Sequence, residues 1–488
     1  MSQERAFSRA GVAVAALLAA AGVSAAELWI GAAQADITPD RPVALTGDMT
    51  APISTGVNSR VTANVLALES RVDGKPADCA IWVSCDLCVI RPGIQERFRN
   101  LVSPRLPGFD IGKLFLAATH THKAPAIDQE SYDNYAGAIE PEDYVPFMFD
   151  RMAEAVVKAW EGRKPGAVAW GLGHAVVGQN RRAVYANGAA EMYGRTDRPD
   201  FRGLEGYEDH AVDCLFFLGA GQKPLAMAVT LASPAQTDER GPAGPRISAD
   251  FWHDVREGLR AKHGAELVVL GFCAPAGDQS PHLMLRQASE TRMAALRKLS
   301  RTQELGRRIV KAVDETWDVV RADSRTDVPF VHRVERFDLP ERKITGPEYA
   351  EAKKAYDVLA SKEKLAGQDY WRKRWNKRVV DRFEAQKSGG TFNPVEMHVL
   401  RLGDVAIATN PFELYTDYGM QIQGRSPAGQ TVLIQLASPL DKGYYLPTPR
   451  ALAGKGYSAI PQSNLVGPEG GQALVERTLA AIRDLFAK

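Results

Sequence analysis

The sequence predicts a mixed α/β fold of layered sheets with flanking helices. Short apolar runs rich in β-branched residues alternate with segments of helical periodicity, the pattern of packed sheet and helix layers rather than of an all-β sandwich. The chain has 488 residues, of which 45% are hydrophobic and 24% charged. That is the composition of a globular protein able to bury a sizeable core. Five cysteines are too few for a disulfide-dense scaffold.

Residues 1–26 read as a signal peptide. Arg5 and Arg9 form a basic start, Ala10 to Val23 is a short Ala/Leu/Val core, and Val23-Ser24-Ala25 offers the small residues of a cleavage site. The core is short for a permanent anchor, which is the alternative reading. The expectation is a periplasmic or secreted protein with no stable membrane anchor after cleavage. Lys and Arg number 60 against 59 Asp and Glu, so a global pull toward nucleic acid is not expected.

Strands are predicted over Val61–Glu69, Asp78–Ser84, Lys113–Ala118, Ala167–Gly171, Val212–Leu218, Leu225–Leu231 and Leu267–Phe272. Helices are predicted over Gly93–Leu101, Pro141–Trp160, Ala249–Lys262 and Arg286–Val320. Residues 341–390 differ, with 13 basic and 8 acidic residues around Tyr370-Trp371-Arg372-Lys373-Arg374-Trp375. They read as a charged helical excursion, either solvated with its Trp rings packed on the main body or forming a substrate rim at Arg372. Strands then return at Glu396–Leu402, Val405–Thr409 and Thr431–Leu436, and a helix closes the chain at Gly471–Ala487. The expected organisation is one domain, 27–488, carrying that excursion.

Polar loops that follow apolar strands are where an α/β protein places its chemistry. Thr119-His120-Thr121-His122 follows one such strand. Its two imidazoles at i, i+2 share a face if the chain stays extended, and suit metal binding or proton transfer. Two surface histidines would have the same spacing. Gly277-Asp278-Gln279-Ser280-Pro281 follows another strand as a tight polar loop, or as an Asp-capped structural turn, and no GxSxG surrounds Ser280. Asn410-Pro411-Phe412-Glu413 ends a third strand with a carboxylate, and Gln179-Asn180-Arg181-Arg182 can present a guanidinium. Cys85 and Cys88 form a CxxC that continues a strand instead of opening a helix, so buried, inert thiols are expected.

In order along the chain, these motifs resemble the neutral/alkaline non-lysosomal ceramidase family, specifically its N-terminal catalytic domain. Gln34-Ala35-Asp36-Ile37-Thr38-Pro39 is similar to the opening ADIT motif, and Thr119–His122 to THTH, with Lys123-Ala124-Pro125 where SGP is usual. Asn180-Arg181 matches the NR step, and Gly277–Pro281 resembles GDxSP. Asn410–Glu413 resembles the PGE segment with Phe for Gly, and Gly443-Tyr444-Tyr445-Leu446-Pro447-Thr448 the late GYxxT segment.

The resemblance implies a ceramidase-like fold and a zinc-assisted hydrolase of N-acyl amide bonds. It implies His120, Glu413 and Tyr445 as zinc ligands, His122 as proton donor and acceptor, and Arg181 as oxyanion partner. Asp278 and Ser280 would hold the substrate's polar end. The family's other zinc histidine falls in Leu231-Ala232-Ser233-Pro234-Ala235-Gln236, where Pro234 offers no ligand, leaving three protein ligands, still enough for a catalytic zinc. The motifs end soon after Tyr445, so the family's C-terminal immunoglobulin-like domain is expected to be absent and membrane ceramide a doubtful substrate. A lipid-like or saccharide small molecule is the expected partner. Since fold does not fix function, the competing expectation is a carbohydrate-active lyase or hydrolase for an acidic saccharide, with the metal lost or altered. There Tyr445 or His122 would shuttle the proton and Arg181 would neutralise a uronate. A noncatalytic binding protein is a third reading.

Overall fold

The computed structural model of the chain describes residues 26–129, 135–237, 244–365, 367–441 and 443–487. The expected signal peptide therefore lies, but for its last residue, outside the described residues. Three sheets repeat one topology: an antiparallel meander of three strands, then a helix crossing over to a fourth strand parallel to the third. In the first sheet the strands are Ala26–Asp36, Thr62–Val72, Lys75–Cys85 and Leu114–Ala118, and the crossover helix is Ile94–Val102. The middle sheet uses Ala167–His174, Ala211–Leu218, Pro224–Leu231 and Val268–Cys273, with helix Phe251–His263. The third uses Phe330–Pro340, Phe392–Leu402, Val405–Thr409 and Gln430–Ile434, with helix Thr416–Arg425.

Side-chain alternation along these strands decides how the sheets pack. Leu66, Leu68 and Trp82 of the first sheet, Leu215, Phe217 and Leu270 of the second, and Leu400, Ile407 and Val432 of the third all enter one shared core. Trp82 sits in it, edge-on to Phe217 and Phe272 at centroid distances of 6.0 and 6.5 Å. The intervening residues face away. Val65 and Val83 pack under helix Pro141–Glu161, Phe216 and Val229 under helix Arg301–Val320, and Met397 and Ala408 under helix Pro468–Phe486. Strands buried on both faces explain the near-continuous apolar runs in the sequence. Gly31 permits the closest of these contacts, since a Cβ there would lie 2.0 Å from the Ala159 carbonyl oxygen.

The helix expected over Arg286–Val320 is two helices, Gln287–Arg297 and Arg301–Val320. Lys298 takes a left-handed conformation, and Ser300 begins the second helix through a reciprocal capping box with Gln303. The charged excursion leaves the tip of the hairpin formed by Phe330–Pro340 and Phe392–Leu402. It consists of helices Gly346–Ala360 and Asp369–Ala385, held together by Ala352, Val379 and a stacked Tyr349–Phe383 pair 4.2 Å apart.

A polar cleft at the strand ends

In each sheet the third and fourth strands run parallel, so their carboxyl ends emerge together, and the loops leaving them meet. Strand Leu114–Ala118 delivers the first histidine turn. The turn is fixed by its own backbone, with Thr119 N donating to Cys85 O at 2.9 Å and His120 N to Leu87 O at 2.9 Å. Beneath it lies the fully buried Asp86, which accepts from Thr119 Oγ1 at 3.2 Å and from both Arg256 Nη atoms at 2.6 and 3.0 Å. The chain does not stay extended: His120 has φ 64°. The two rings still meet, Nε2 to Nε2 at 3.3 Å.

Glu413 and Tyr445 arrive as a pair. Glu413–Leu414 and Tyr445–Leu446 form a short parallel ladder in which Glu413 stands opposite Tyr445. Glu413 Oε2 lies 3.6 Å from His120 Nε2 and 3.8 Å from Arg181 Nη2. The same Arg181 Nη2 donates to the Tyr445 hydroxyl at 3.2 Å and to Gly277 O at 3.0 Å, while Nη1 donates to Tyr193 at 2.8 Å. His120, His122, Glu413 and Tyr445 line one cleft, and Arg181 is buried at its wall. Burial pushes the Tyr445 phenol well above its ordinary pKa, against the pull of Arg181.

Asp278, Ser280 and Arg372 do not join this group. Asp278 is 1% exposed and is used by the scaffold: one carboxylate oxygen accepts from Thr416 N and Oγ1 at 2.9 and 2.7 Å, the other from Asn180 Nδ2 at 3.1 Å. Its backbone carbonyl accepts from Arg181 N at 2.9 Å. The expected substrate loop is therefore the mount on which Arg181 stands. Ser280 is fully buried beside His282. Arg372 sits on the exposed side of its helix, bonded to Gln368 Oε1 at 3.1 Å, whereas Trp371 and Trp375 on the neighbouring face line the cleft.

Sequence reasoning missed Cys88, which was expected to be inert. Its carbonyl accepts from His120 Nδ1 at 2.6 Å, its Sγ lies 4.0 Å from that nitrogen, and it lines the cleft. Cys88, His120 and His122 offer ligand atoms within 4.8 Å of one another. All five cysteines have free thiols. The segment containing Pro234 does reach the site, with Ala235 N donating to Thr119 O at 3.2 Å, but the proline brings no donor atom. Tyr193, Gln236 and Tyr457 were also missed, because nothing in their local sequence distinguishes them from core or loop residues. Gln236 Nε2 donates to the Tyr193 hydroxyl at 2.6 Å, and Tyr193 also lines a larger hollow of about 1000 Å³ with His282 and Arg286.

The donors fit a metal. With Nδ1 of His120 held on the Cys88 carbonyl, its Nε2 lone pair faces His122 Nε2 and Glu413, as in sites where a backbone carbonyl orients a ligating imidazole. Imidazole, carboxylate and phenol donors, with a thiol in reach, match the ligand preferences of zinc.

These features define a layered α/β protein with a polar His/Glu/Tyr/Arg cleft at its strand ends. No protein-family model matches the sequence, and no curated protein matches it. Among the solved structures similar in fold are two ceramidases. One is neutral ceramidase from Pseudomonas aeruginosa, with a TM-score of 0.68 and 18% identity over 94% of this chain and 75% of that one. The other is a ceramidase complexed with C2, with a TM-score of 0.64 and 17% identity over the same shares. The chain has the neutral ceramidase fold, as its ordered motifs imply.

Proposed function

We propose that the chain is a metal-assisted hydrolase of N-acyl amide bonds in a small, lipid-like substrate. The observation that supports it best is the meeting of His120, His122, Glu413, Tyr445 and Arg181 in one cleft of a ceramidase-like fold. His120, Glu413 and Tyr445 are the residues that would hold zinc, with Cys88 close enough to contribute where Pro234 does not. When bound, such an ion supplies Lewis acidity and acidifies water.

The remaining work belongs to the chain. His122, beside His120, carries the proton from the attacking water to the leaving nitrogen at its Nε2. The Arg181 guanidinium and the Tyr445 phenol stabilise the oxygen on which charge develops, and their burial strengthens both interactions. Gly277 O and Tyr193 keep the guanidinium aimed before substrate arrives. Residues 27–488 are taken as one catalytic domain bearing the 341–390 excursion. Export rests on residues 1–26. Among the described residues no helix is long and apolar enough to cross a membrane.

The test is metal analysis of purified protein together with release of fatty acid from N-acyl substrates. Near-stoichiometric zinc and chelator-sensitive hydrolysis are expected, and active, metal-free protein would end the reading. One observation favours the saccharide alternative: Trp371 and Trp375 line the cleft, and indole faces suit sugar rings. That reading requires cleavage of acidic oligosaccharides that survives chelation.

A further inference from the structure

The excursion turns Trp371 and Trp375 of helix Asp369–Ala385 into the cleft, and one turn on Arg378 reaches Tyr444 of the cleft lining. Arg378 is half-buried and donates to the Tyr444 hydroxyl, with its guanidinium 4.8 Å from the centre of the Tyr444 ring. Burial, and then Arg374, Arg382 and Arg91, lower its pKa to about 10. Among the described residues, the charged groups that act on it most are these three cations. Arg382 is turned elsewhere, donating to the carbonyls of Arg342, Pro461, Asn464 and Leu465. Arg91 lines the cleft and pairs with Asp128 at 3.4 Å. Among the described residues, the carboxylates that line the cleft, Asp48 and Glu413, come from other elements.

A cation that is partly desolvated among other cations is unfavourable unless an anion joins it. The Tyr444 oxygen already accepts from Arg378, so its own hydrogen is directed elsewhere, and this residue lines the cleft. We propose that Arg91, Arg378 and the Tyr444 hydroxyl form an anion subsite at the cleft, which selects ligands carrying a carboxylate beside an apolar surface that rests on Trp371 and Trp375. Combined with the hydrolase reading, on which only the identity of the cleaved bond rests, the substrate class is an N-acyl amino acid rather than a neutral N-acyl alcohol. Guanidinium and phenol donors recognise carboxylate oxygens through charge-assisted hydrogen bonds.

The experiment measures binding by the fluorescence of the cleft tryptophans, which needs no turnover, and hydrolysis in parallel. N-lauroylglycine and N-lauroylethanolamine are compared, with digalacturonate as the saccharide arm. Wild type is expected to bind N-lauroylglycine at least ~10-fold more tightly than the ethanolamide, and Arg378→Gln to bring that ratio close to one. Tyr444→Phe is expected to lower the ratio without removing the cation, which keeps the test available if Arg378→Gln does not fold. Equal affinity for the two lauroyl compounds, or a ratio unchanged in both variants, would overturn the subsite. Arg378-dependent binding of digalacturonate alone would support the subsite and overturn the N-acyl class. An anion preference with no hydrolysis of either amide would support the subsite while sinking the hydrolase reading. Hydrolysis without discrimination would do the reverse.

Discussion

His120 Nε2 lies 3.6 Å from Glu413 Oε2, although the two residues leave strands of different sheets and are separated by most of the chain. Their strands meet through the bridge between Ala117 and Ala437, and the loop of Ala437 also bonds Asn410 and Phe412, so the contact depends on how the first and third sheets pack. If the pair holds a metal, removing either side chain must lower metal retention before any question of rate arises. His120→Ala and Glu413→Gln are expected to purify with much less zinc than wild type, read by elemental analysis after dialysis. Full zinc content in both would refute the ligand assignment.

Arg181 is predicted to act on developing charge rather than on folding. Arg181→Met is expected to reduce kcat by roughly 100-fold, the usual cost of losing one oxyanion donor, with a smaller change in KM. A change confined to KM would mean that it only binds substrate.

Gly47 packs against the second histidine. Its φ is +124°, and a Cβ there would lie 2.4 Å from His122 Cγ. Gly47→Ala is therefore expected to displace the His122 ring and lower kcat/KM by roughly 100-fold, with zinc content retained. Unchanged kinetics in a folded Gly47→Ala protein would remove His122 from the mechanism.

The Asp86–Arg256 pair is buried and bidentate, and it anchors the turn that carries His120. Removing one partner strands the other charge. Asp86→Ala is expected to cost about 3–5 kcal/mol in denaturant unfolding. A loss below about 1 kcal/mol, the range of an exposed pair, would show the network to be dispensable.

Asp213 makes stability depend on pH. Burial raises its pKa from 3.8 to about 7, against the hydrogen bond from Gln430 Nε2 at 2.7 Å, with Asp209 adding to the rise. The folded chain therefore keeps a proton that the unfolded chain releases. The stability tied to that proton is fully present below the unfolded value near pH 4 and is lost as pH rises through about 7. Asp213→Asn is expected to flatten the fall in unfolding midpoint between pH 5 and pH 8. An identical slope in the variant would assign the pH dependence to other groups.

The strands buried on both faces and the long helices were legible because such burial leaves unbroken apolar runs and because Pro141 marks a helix start. The opening strands of the first and third sheets, Ala26–Asp36 and Phe330–Pro340, were not read, since polar residues interrupt their apolar pattern. The break at Lys298–Ser300 was not read, since helical periodicity resumes at once on its far side. Asp278 misled: a Gly- and Pro-flanked polar loop signals a tight turn equally well whether its carboxylate meets a ligand or, as here, Thr416 and Asn180. Trp371 and Arg372 are adjacent in sequence, and helix phase alone sends the first into the cleft and the second to solvent.

By itself the sequence determined the mixed α/β class, the place though not the ends of ten of the twelve meander and crossover strands in the three sheets, and the residue types of the loops that follow several of them, because these follow from local periodicity and turn chemistry. It also carried the ordered motifs by which the ceramidase-like fold was expected. Only the tertiary structure decided that the three sheets share one topology and one inner core, and that their parallel strand pairs open toward a common cleft. Only packing could place Cys88 against His120 and Arg181 against Tyr445. Contacts of that kind depend on the relative position of whole sheets, which is set by the fit of side chains from all three sheets around Trp82 and by no local run of residues.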